Sequence, residues 1–163
     1  MKKVFLISFL VLAADQALKF WVKTHMYPGE KIPVTSWFDL HFVENPGMAF
    51  GMEFGGEAGK LLLTLFRIVV SVLLLWLIRN LTRRHASATL VIPLTLIFAG
   101  AVGNIIDSMF YGLVFNDPAV GVATFLPEGG GYAPLFHGKV VDMFYFHFWQ
   151  GVLPQWLPIW GGE

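Results

Sequence analysis

The sequence predicts an α-helical integral membrane protein, because it is strongly apolar, poor in charge and contains three long hydrophobic runs. Of its 163 residues, 56% are hydrophobic and only 13% are charged, whereas soluble domains carry about 25% charged residues. The net charge is zero and no basic block is present, which excludes a nucleic-acid partner. The chain has no cysteine, so disulfides, thiol nucleophiles and thiolate metal sites are excluded as well. We expect one membrane domain over residues 1–163.

Three hydrophobic runs predict the membrane spans. The first, Val4–Val22, has about the length of a helix that crosses the hydrocarbon core of a bilayer. The second, Leu61–Ile78, is interrupted only by Arg67, and the third covers residues 88–111. The sequence therefore predicts a bundle with three spans.

Charges between the spans predict the orientation of the bundle. Segment 23–60 contains three lysines and five acids. The opposite ends of the first two spans carry only basic residues, namely Lys2, Lys3, Arg79, Arg83 and Arg84. The positive-inside rule places these basic ends and the N terminus in the cytoplasm. Residues 23–60 and 112–163 are then extracytoplasmic.

Four segments outside the spans have distinct patterns. Trp37–Glu44 alternates apolar and polar residues, which predicts a half-buried strand in a small sheet on the outer membrane surface. Segment 45–56 is rich in glycine and predicts a close-packed loop. Phe115–Gly138, rich in glycine and proline, predicts an outer loop that covers the site and is mobile, because we expect it to bury little apolar surface. The tryptophan-containing segment 150–163 predicts an interfacial stretch.

Polar side chains inside the spans point to a functional site, since ionisable residues are costly in a bilayer. Asp15 lies about 17 Å along the first helix, beyond the bilayer midplane, and Lys19 follows at the i,i+4 spacing of a helical ion pair. Asn104 and Asp107 are three residues apart and share one face near the outer end of the third helix. Small residues that let helices approach closely precede them: Gly100, Ala101 and Gly103.

Carboxylates gathered at the outer membrane interface suggest aspartic-protease chemistry, in which two acids share one proton. The same residues are also compatible with structural ion pairs or a proton path in a non-catalytic transporter subunit or scaffold. The five histidines show no metal-ligand spacing, so neither a metal nor another cofactor is expected.

Four motifs in order resemble those of bacterial lipoprotein signal peptidase, signal peptidase II. They are Asp15-Gln16-x-x-Lys19, Asn45-x-Gly47-x-Ala49-Phe50, Gly100-Ala101-x-Gly103-Asn104-x-x-Asp107 and Val140-Val141-Asp142-Met143. The resemblance covers nearly the whole chain. It implies an aspartic endopeptidase of the bacterial inner membrane, with its active site at the outer face, that cuts signal peptides from diacylglyceryl-modified prolipoproteins. Membrane lipids and globomycin-type inhibitors are the other partners that it implies.

The resemblance also implies residue roles. It makes Asp142 one of two catalytic aspartates. The residues that it implies as a supporting and substrate-binding shell are Asp15, Lys19, Asn45, Gly47, Asn104 and Asp107.

The chain departs from the family pattern at three points. Ser108 stands where the family usually has arginine, so one charge-assisted contact is missing or supplied elsewhere. Asp107 and Asp142 are separated by 34 residues, a longer segment than is usual. The family's second catalytic aspartate lies in a later F-N-x-A-D motif that opens a fourth span, which is expected but absent. We therefore expect the chain as written to be unable to cleave, and a shortened, inactive homologue that binds lipidated signal peptides is a further alternative.

Overall fold

Three long apolar helices dominate the structure, a computed structural model that describes residues 1–46, 56–118 and 121–148. They are α1 (Lys2–His25), α2 (Gly56–Arg83) and α3 (Ala88–Ile106). Each lies in a segment long and apolar enough to cross a membrane. The predicted class, a helical membrane protein with a small antiparallel sheet, is confirmed.

The third helix is the centre of the bundle and ends in an irregular way. It packs against both α1 and α2. A π-helical turn, Asp107–Tyr111, follows it directly, and the short helix α4 (Gly112–Val114) completes the span. Such π turns insert an extra residue into a helix and are frequent at functional sites. Here the turn begins at Asp107, one of the site residues predicted from the sequence.

A three-stranded antiparallel sheet lies beyond the end of α1. Its strands are β1 (Lys31–Thr35), β2 (Phe38–Asn45) and β3 (Val140–Phe146), in the order β1-β2-β3. The strand predicted at Trp37–Glu44 is confirmed as β2. Strand β3 was not predicted. It forms because β2 pairs with a segment about 100 residues later, with Val43 opposite Asp142.

The main hydrophobic core lies where α1, the sheet and the end of the third span meet. Val22 and Met26 of α1 pack there with Phe42 of β2 and with Val141 and Met143 of β3. Leu40, on the same face of β2 as Phe42, packs against this cluster, as the alternation in the strand predicted. The core therefore fixes β3 against the end of the bundle where α1 ends and the third span ends.

The segment after α4 packs more closely than its composition suggested. Phe115 is 1% exposed and joins the core together with Ala123. The backbone N–H groups of Ala133 and Gly138 donate hydrogen bonds to the carbonyls of Gly112 and Ser108, at 2.9 and 2.8 Å. Phe125, Leu126 and Leu135 of this loop are exposed, so the expectation that it buries little apolar surface agrees with most of its large apolar side chains and fails only for Phe115 and Ala123. Its backbone donors satisfy carbonyls that the helix end leaves free. The mobility of the loop stays a prediction.

Parts of three predicted segments lie outside the described residues. They are the loop from Gly47 to Gly55, which includes the Gly47-x-Ala49-Phe50 part of a motif, residues 119–120 of the outer loop, and the predicted interfacial stretch from Gln150 onward.

Candidate functional site

Lys19 forms the centre of the polar cluster inside the bundle. Its side chain projects from α1 and is almost completely buried, with 2% of the residue exposed. The ammonium Nζ donates to Asn104 Oδ1 at 2.9 Å and to Asp107 Oδ2 at 2.6 Å, and lies 3.4 Å from Asp15 Oδ2. The predicted Asp15–Lys19 pair and the shared face of Asn104 and Asp107 are both observed. Three other predicted site residues, Asp15, Asn104 and Asp107, therefore meet around this buried cation.

Gln16 joins the same cluster and was not among the predicted site residues. Its amide Nε2 donates to Asp15 Oδ2 at 3.1 Å and to Asp107 Oδ1 at 3.0 Å, so it bridges the two carboxylates. Its Oε1 accepts a hydrogen bond from the Tyr111 hydroxyl at 3.3 Å. The signal in the sequence was its place in the motif Asp15-Gln16-x-x-Lys19.

Gly103 allows α1 and α3 to approach at this level. A Cβ at this position would collide with the Asp15 carboxylate, whose Oδ2 and Cγ lie closest to it. At Gly100, in contrast, a Cβ would meet no atom within 4 Å among the described residues. The predicted close approach is therefore correct for Gly103 and wrong for Gly100, since only Gly103 faces the polar side of α1.

Asp107 connects the bundle to the sheet. It is completely buried, with 0% exposed, at the first position of the π-helical turn. Its Oδ2 accepts a hydrogen bond at 3.2 Å from the backbone N–H of Val141 in β3. Both oxygens of the carboxylate thus have donors on other elements. Asp107 thereby fixes the position of the residue that follows Val141.

That residue, Asp142, presents an exposed carboxylate beside the buried cluster. Its neighbours Val141 and Met143 point into the core, so the alternation of β3 directs Asp142 to the opposite face. Across residues 1–46, 56–118 and 121–148, no protein group forms a hydrogen bond with this carboxylate. The Asp142 carboxylate is accessible, whereas those of Asp15 and Asp107 are held by Lys19 and Gln16.

Arg67 is a second residue at the site that the sequence did not assign. Its side chain reaches from α2, where it is half-buried, and Nη1 lies 3.4 Å from Ser108 Oγ, to which it donates. A signal was present in the sequence, since Arg67 is the only charge in the run Leu61–Ile78.

A second charged network holds the outer loop against the sheet. Buried Lys23 of α1 pairs with Glu44 of β2, and Lys139 Nζ lies 3.1 Å from the same glutamate and 2.6 Å from Asp117 Oδ2. The Tyr132 hydroxyl accepts a hydrogen bond at 2.7 Å from the backbone N–H of Lys139. This network ties the two ends of the outer loop to α1 and β2.

Two groups in this network have shifted pKa values. Burial raises the pKa of the Tyr132 hydroxyl, because the phenolate would be poorly solvated. For Lys139, burial alone would lower the pKa, but hydrogen bonds and ion pairs with Asp117 and Glu44 outweigh it, so that its pKa is raised. Both shifts favour the protonated form in the folded protein.

The remaining predicted site residues are placed only in part. Asn45 ends β2 opposite Val140, two residues before Asp142 on the neighbouring strand. Gly47 lies outside the described residues. Within the part of the chain that the structure describes, no three His, Asp or Glu side chains form a cluster that could hold a metal ion.

The fold and the cluster together define a multi-pass membrane protein with a buried lysine–aspartate centre beneath an accessible aspartate. Residues 7–160 match the family described as Signal peptidase (SPase) II. The chain belongs to this family of bacterial membrane proteases.

Individual relatives agree with that assignment. The lipoprotein signal peptidase of Porphyromonas gingivalis is 52% identical over 155 residues, covering 94% of this chain and 67% of the relative. That of Amoebophilus asiaticus is 38% identical over 162 residues, covering 96% of this chain and 64% of the relative. The chain thus spans about two thirds of the length of these relatives.

Solved structures share the fold. A bacterial membrane enzyme determined by the in meso method at 2.3 Å resolution matches with a TM-score of 0.57 at 20% identity, over 91% of this chain and 72% of that one. A second, at 1.9 Å resolution, matches with a TM-score of 0.56 at 21% identity, over 90% of this chain and 75% of that one.

Proposed function

We propose that this chain forms the active-site region of an intramembrane aspartic endopeptidase that removes signal peptides from diacylglyceryl-modified prolipoproteins. Family membership supports the activity and the substrate class. The observation that supports the mechanism is the accessible carboxylate of Asp142. The hydrogen bond from the backbone N–H of Val141 to Asp107 fixes this part of β3 next to the buried cluster. We further propose an inner-membrane location with the N terminus in the cytoplasm, which follows from the basic ends of the first two spans.

The proposed reaction is hydrolysis of one peptide bond. An ionised carboxylate takes a proton from water while the water oxygen attacks the scissile carbonyl carbon, and a protonated carboxyl group polarises the carbonyl oxygen. Collapse of the tetrahedral intermediate breaks the C–N bond, and the leaving amine takes the proton from the carboxyl group that accepted it from water, which restores the ionised carboxylate. Asp142 would supply one of the two carboxyl groups. Asp15 and Asp107 are engaged by Lys19, so the proposal assigns the second acid to a carboxyl group outside the described residues.

The buried residues would act by positioning. Lys19 holds Asp107, and Asp107 holds β3, so the orientation of Asp142 depends on hydrogen bonds that never touch the substrate. Asn104 and Asp15 complete the coordination of the Lys19 ammonium. Asn45 and Gly47 are proposed to contact the substrate, since the second motif begins beside Asp142 at the end of β2.

Replacing Asp142 by asparagine tests the proposal. In the complete protein, reconstituted in lipid with a diacylglyceryl-modified signal peptide, Asp142→Asn should lower kcat by about 10²–10⁴-fold, the usual contribution of a general acid or base. Asp39→Asn is the matched control, because Asp39 lies on the same sheet and pairs with His147, away from the cluster. Near-normal turnover by Asp142→Asn would refute the assignment. Proton flux into vesicles without any cleavage would favour the non-catalytic alternative.

A further inference from the structure

A cavity of about 690 Å³ lies at the end of the bundle where α1 begins, α2 ends and α3 begins. We call this end, opposite the sheet, the basic end. The first two turns of α1, Thr82 at the end of α2, His85 in the connection and the first two turns of α3 form its walls. Lys3, one of the lining residues, is about 18 Å along α1 from Asp15. The cavity is therefore separate from the polar cluster of the candidate active site.

The charged lining of this cavity is entirely basic. Lys2, Lys3 and His85 line it, and all three are exposed. Within the described part of the chain, neither lysine ammonium forms an ion pair or a hydrogen bond. The sequence offers no acid to compensate them nearby, since residues 1–14 and 58–106 contain neither aspartate nor glutamate. The mouth of the cavity therefore complements an anion.

The remaining walls of the cavity are mostly apolar. Val4 and Ile7 of α1 face Val91 and Ile92 of α3 across it. Thr95 also lines it, but its hydroxyl donates a hydrogen bond to the carbonyl of Val91 at 2.7 Å, so that it offers no free donor. A small hydrated anion would leave these walls uncovered. A ligand that fits the whole cavity must carry an apolar group as well as a negative charge.

A second cavity, of about 350 Å³, continues from the first, because Met1 and Val4 line both. It follows α1 as far as Leu12, about 16 Å along the helix axis, and is closed on the other side by Phe98 and Val102 of α3. Apart from one serine, all the residues that line it are apolar. This groove runs along a membrane span from the basic end, as the acyl chain of a lipid does.

We propose that the two adjoining cavities bind one anionic phospholipid, with its phosphate at Lys2 and Lys3 and an acyl chain in the groove along α1. Basic pockets between membrane helices bind anionic lipid head groups in this way. A zwitterionic lipid also carries an ammonium group, which the unpaired lysines would repel, so the site selects by net charge. The proposal concerns the end of the bundle opposite Asp142 and does not depend on the proposed protease function.

Native mass spectrometry of the complete protein in a neutral detergent measures this binding. Phosphatidylglycerol and phosphatidylcholine with identical acyl chains are compared. Wild type should prefer phosphatidylglycerol about 25-fold, at about 5-fold for each lysine near the phosphate. The double variant Lys2→Gln with Lys3→Gln should lose most of this preference. The matched control, Arg83→Gln with Arg84→Gln, removes the same charge from exposed residues of the basic end that do not line the cavity, and should keep it.

Ala88→Phe tests the cavity without a change of charge. Ala88 is exposed at the start of α3 and lines the cavity, so a phenyl group there would occupy the space of the lipid. It should lower the affinity for phosphatidylglycerol by at least about tenfold. Thr89→Phe, at the next exposed position, which does not line the cavity, should leave the affinity unchanged. A thermal unfolding midpoint close to that of wild type without added lipid shows that each variant is folded.

Inorganic phosphate at millimolar concentration should not displace phosphatidylglycerol, because phosphate cannot use the apolar walls. Displacement would identify a site for a free anion and would overturn the proposal. Equal affinity of wild type for the two lipids, equal losses in the lysine and arginine double variants, or unchanged binding by Ala88→Phe would also overturn it. Since none of these measurements involves cleavage, their failure would leave the proposed function untouched.

Discussion

Lys19 should contribute more to stability than any exposed charge on its helix, and replacing it by methionine measures that contribution. The lysine is 2% exposed, and its partner Asp107 is completely buried. Methionine fills a similar volume without a charge, so the variant leaves Asp107 and Asp15 without their shared cation. Removing one partner of a buried ion pair costs about 3–5 kcal/mol. We expect Lys19→Met to lower the free energy of unfolding by an amount in this range.

A double-mutant cycle shows whether the cost arises from the pair. Asp107→Asn alone should cost about 1.5–3 kcal/mol, the value of a hydrogen bond to a charged group. The double variant with Lys19→Met should cost at least about 1 kcal/mol less than the sum of the two single costs, because an uncharged asparagine leaves no buried carboxylate at position 107 for a cation to compensate.

Unfolding in mixed micelles with increasing denaturing detergent provides the measurement. Lys2→Met is the control, since Lys2 is exposed at the start of the same helix and its loss should change stability by no more than about 0.5 kcal/mol. A cost below about 1 kcal/mol for Lys19→Met, or strictly additive costs in the cycle, would refute the view that this lysine compensates buried carboxylates.

Two further predictions concern helix contact and pH. Gly103→Ala should destabilise the protein by about 1–3 kcal/mol, because the new Cβ displaces the Asp15 carboxylate. Gly100→Ala should be neutral or stabilising by up to about 1 kcal/mol, because a Cβ has space there and alanine favours a helix; equal effects of the two changes would contradict the close approach. The raised pKa of Lys139 means that its stabilisation is complete below its ordinary pKa of 10.5 and is lost as the pH rises through the higher value in the folded protein. The difference in the free energy of unfolding between wild type and Lys139→Gln should therefore shrink as the pH rises in the alkaline range. A difference that stays constant would contradict this linkage.

Local patterns in the sequence were sufficient to predict the three long helices and part of the site. Span length and apolar composition predict α1, α2 and α3, because a bilayer requires about 20 apolar residues per helix. The pairs Asp15–Lys19 and Asn104–Asp107 follow from helical periodicity alone. The strand at β2 follows from its alternation. The motif match pointed to Asp142 without showing what holds it.

Tertiary packing decided the remaining features of the site. Lys19 and Asp107 are 88 residues apart, and only the packing of α1 against α3 brings them to 2.6 Å. The direction of Arg67 depends on where α2 places its side chain relative to Ser108, which helical periodicity alone does not specify. The outer loop and β3 use backbone donors that reach carbonyls of the third span and the Asp107 carboxylate. The sequence by itself determined which segments cross the membrane and which side chains share a helix face, because both depend on neighbours within a few residues. Only the tertiary structure determined which buried charges compensate one another, because a low-dielectric interior selects partners by position in space.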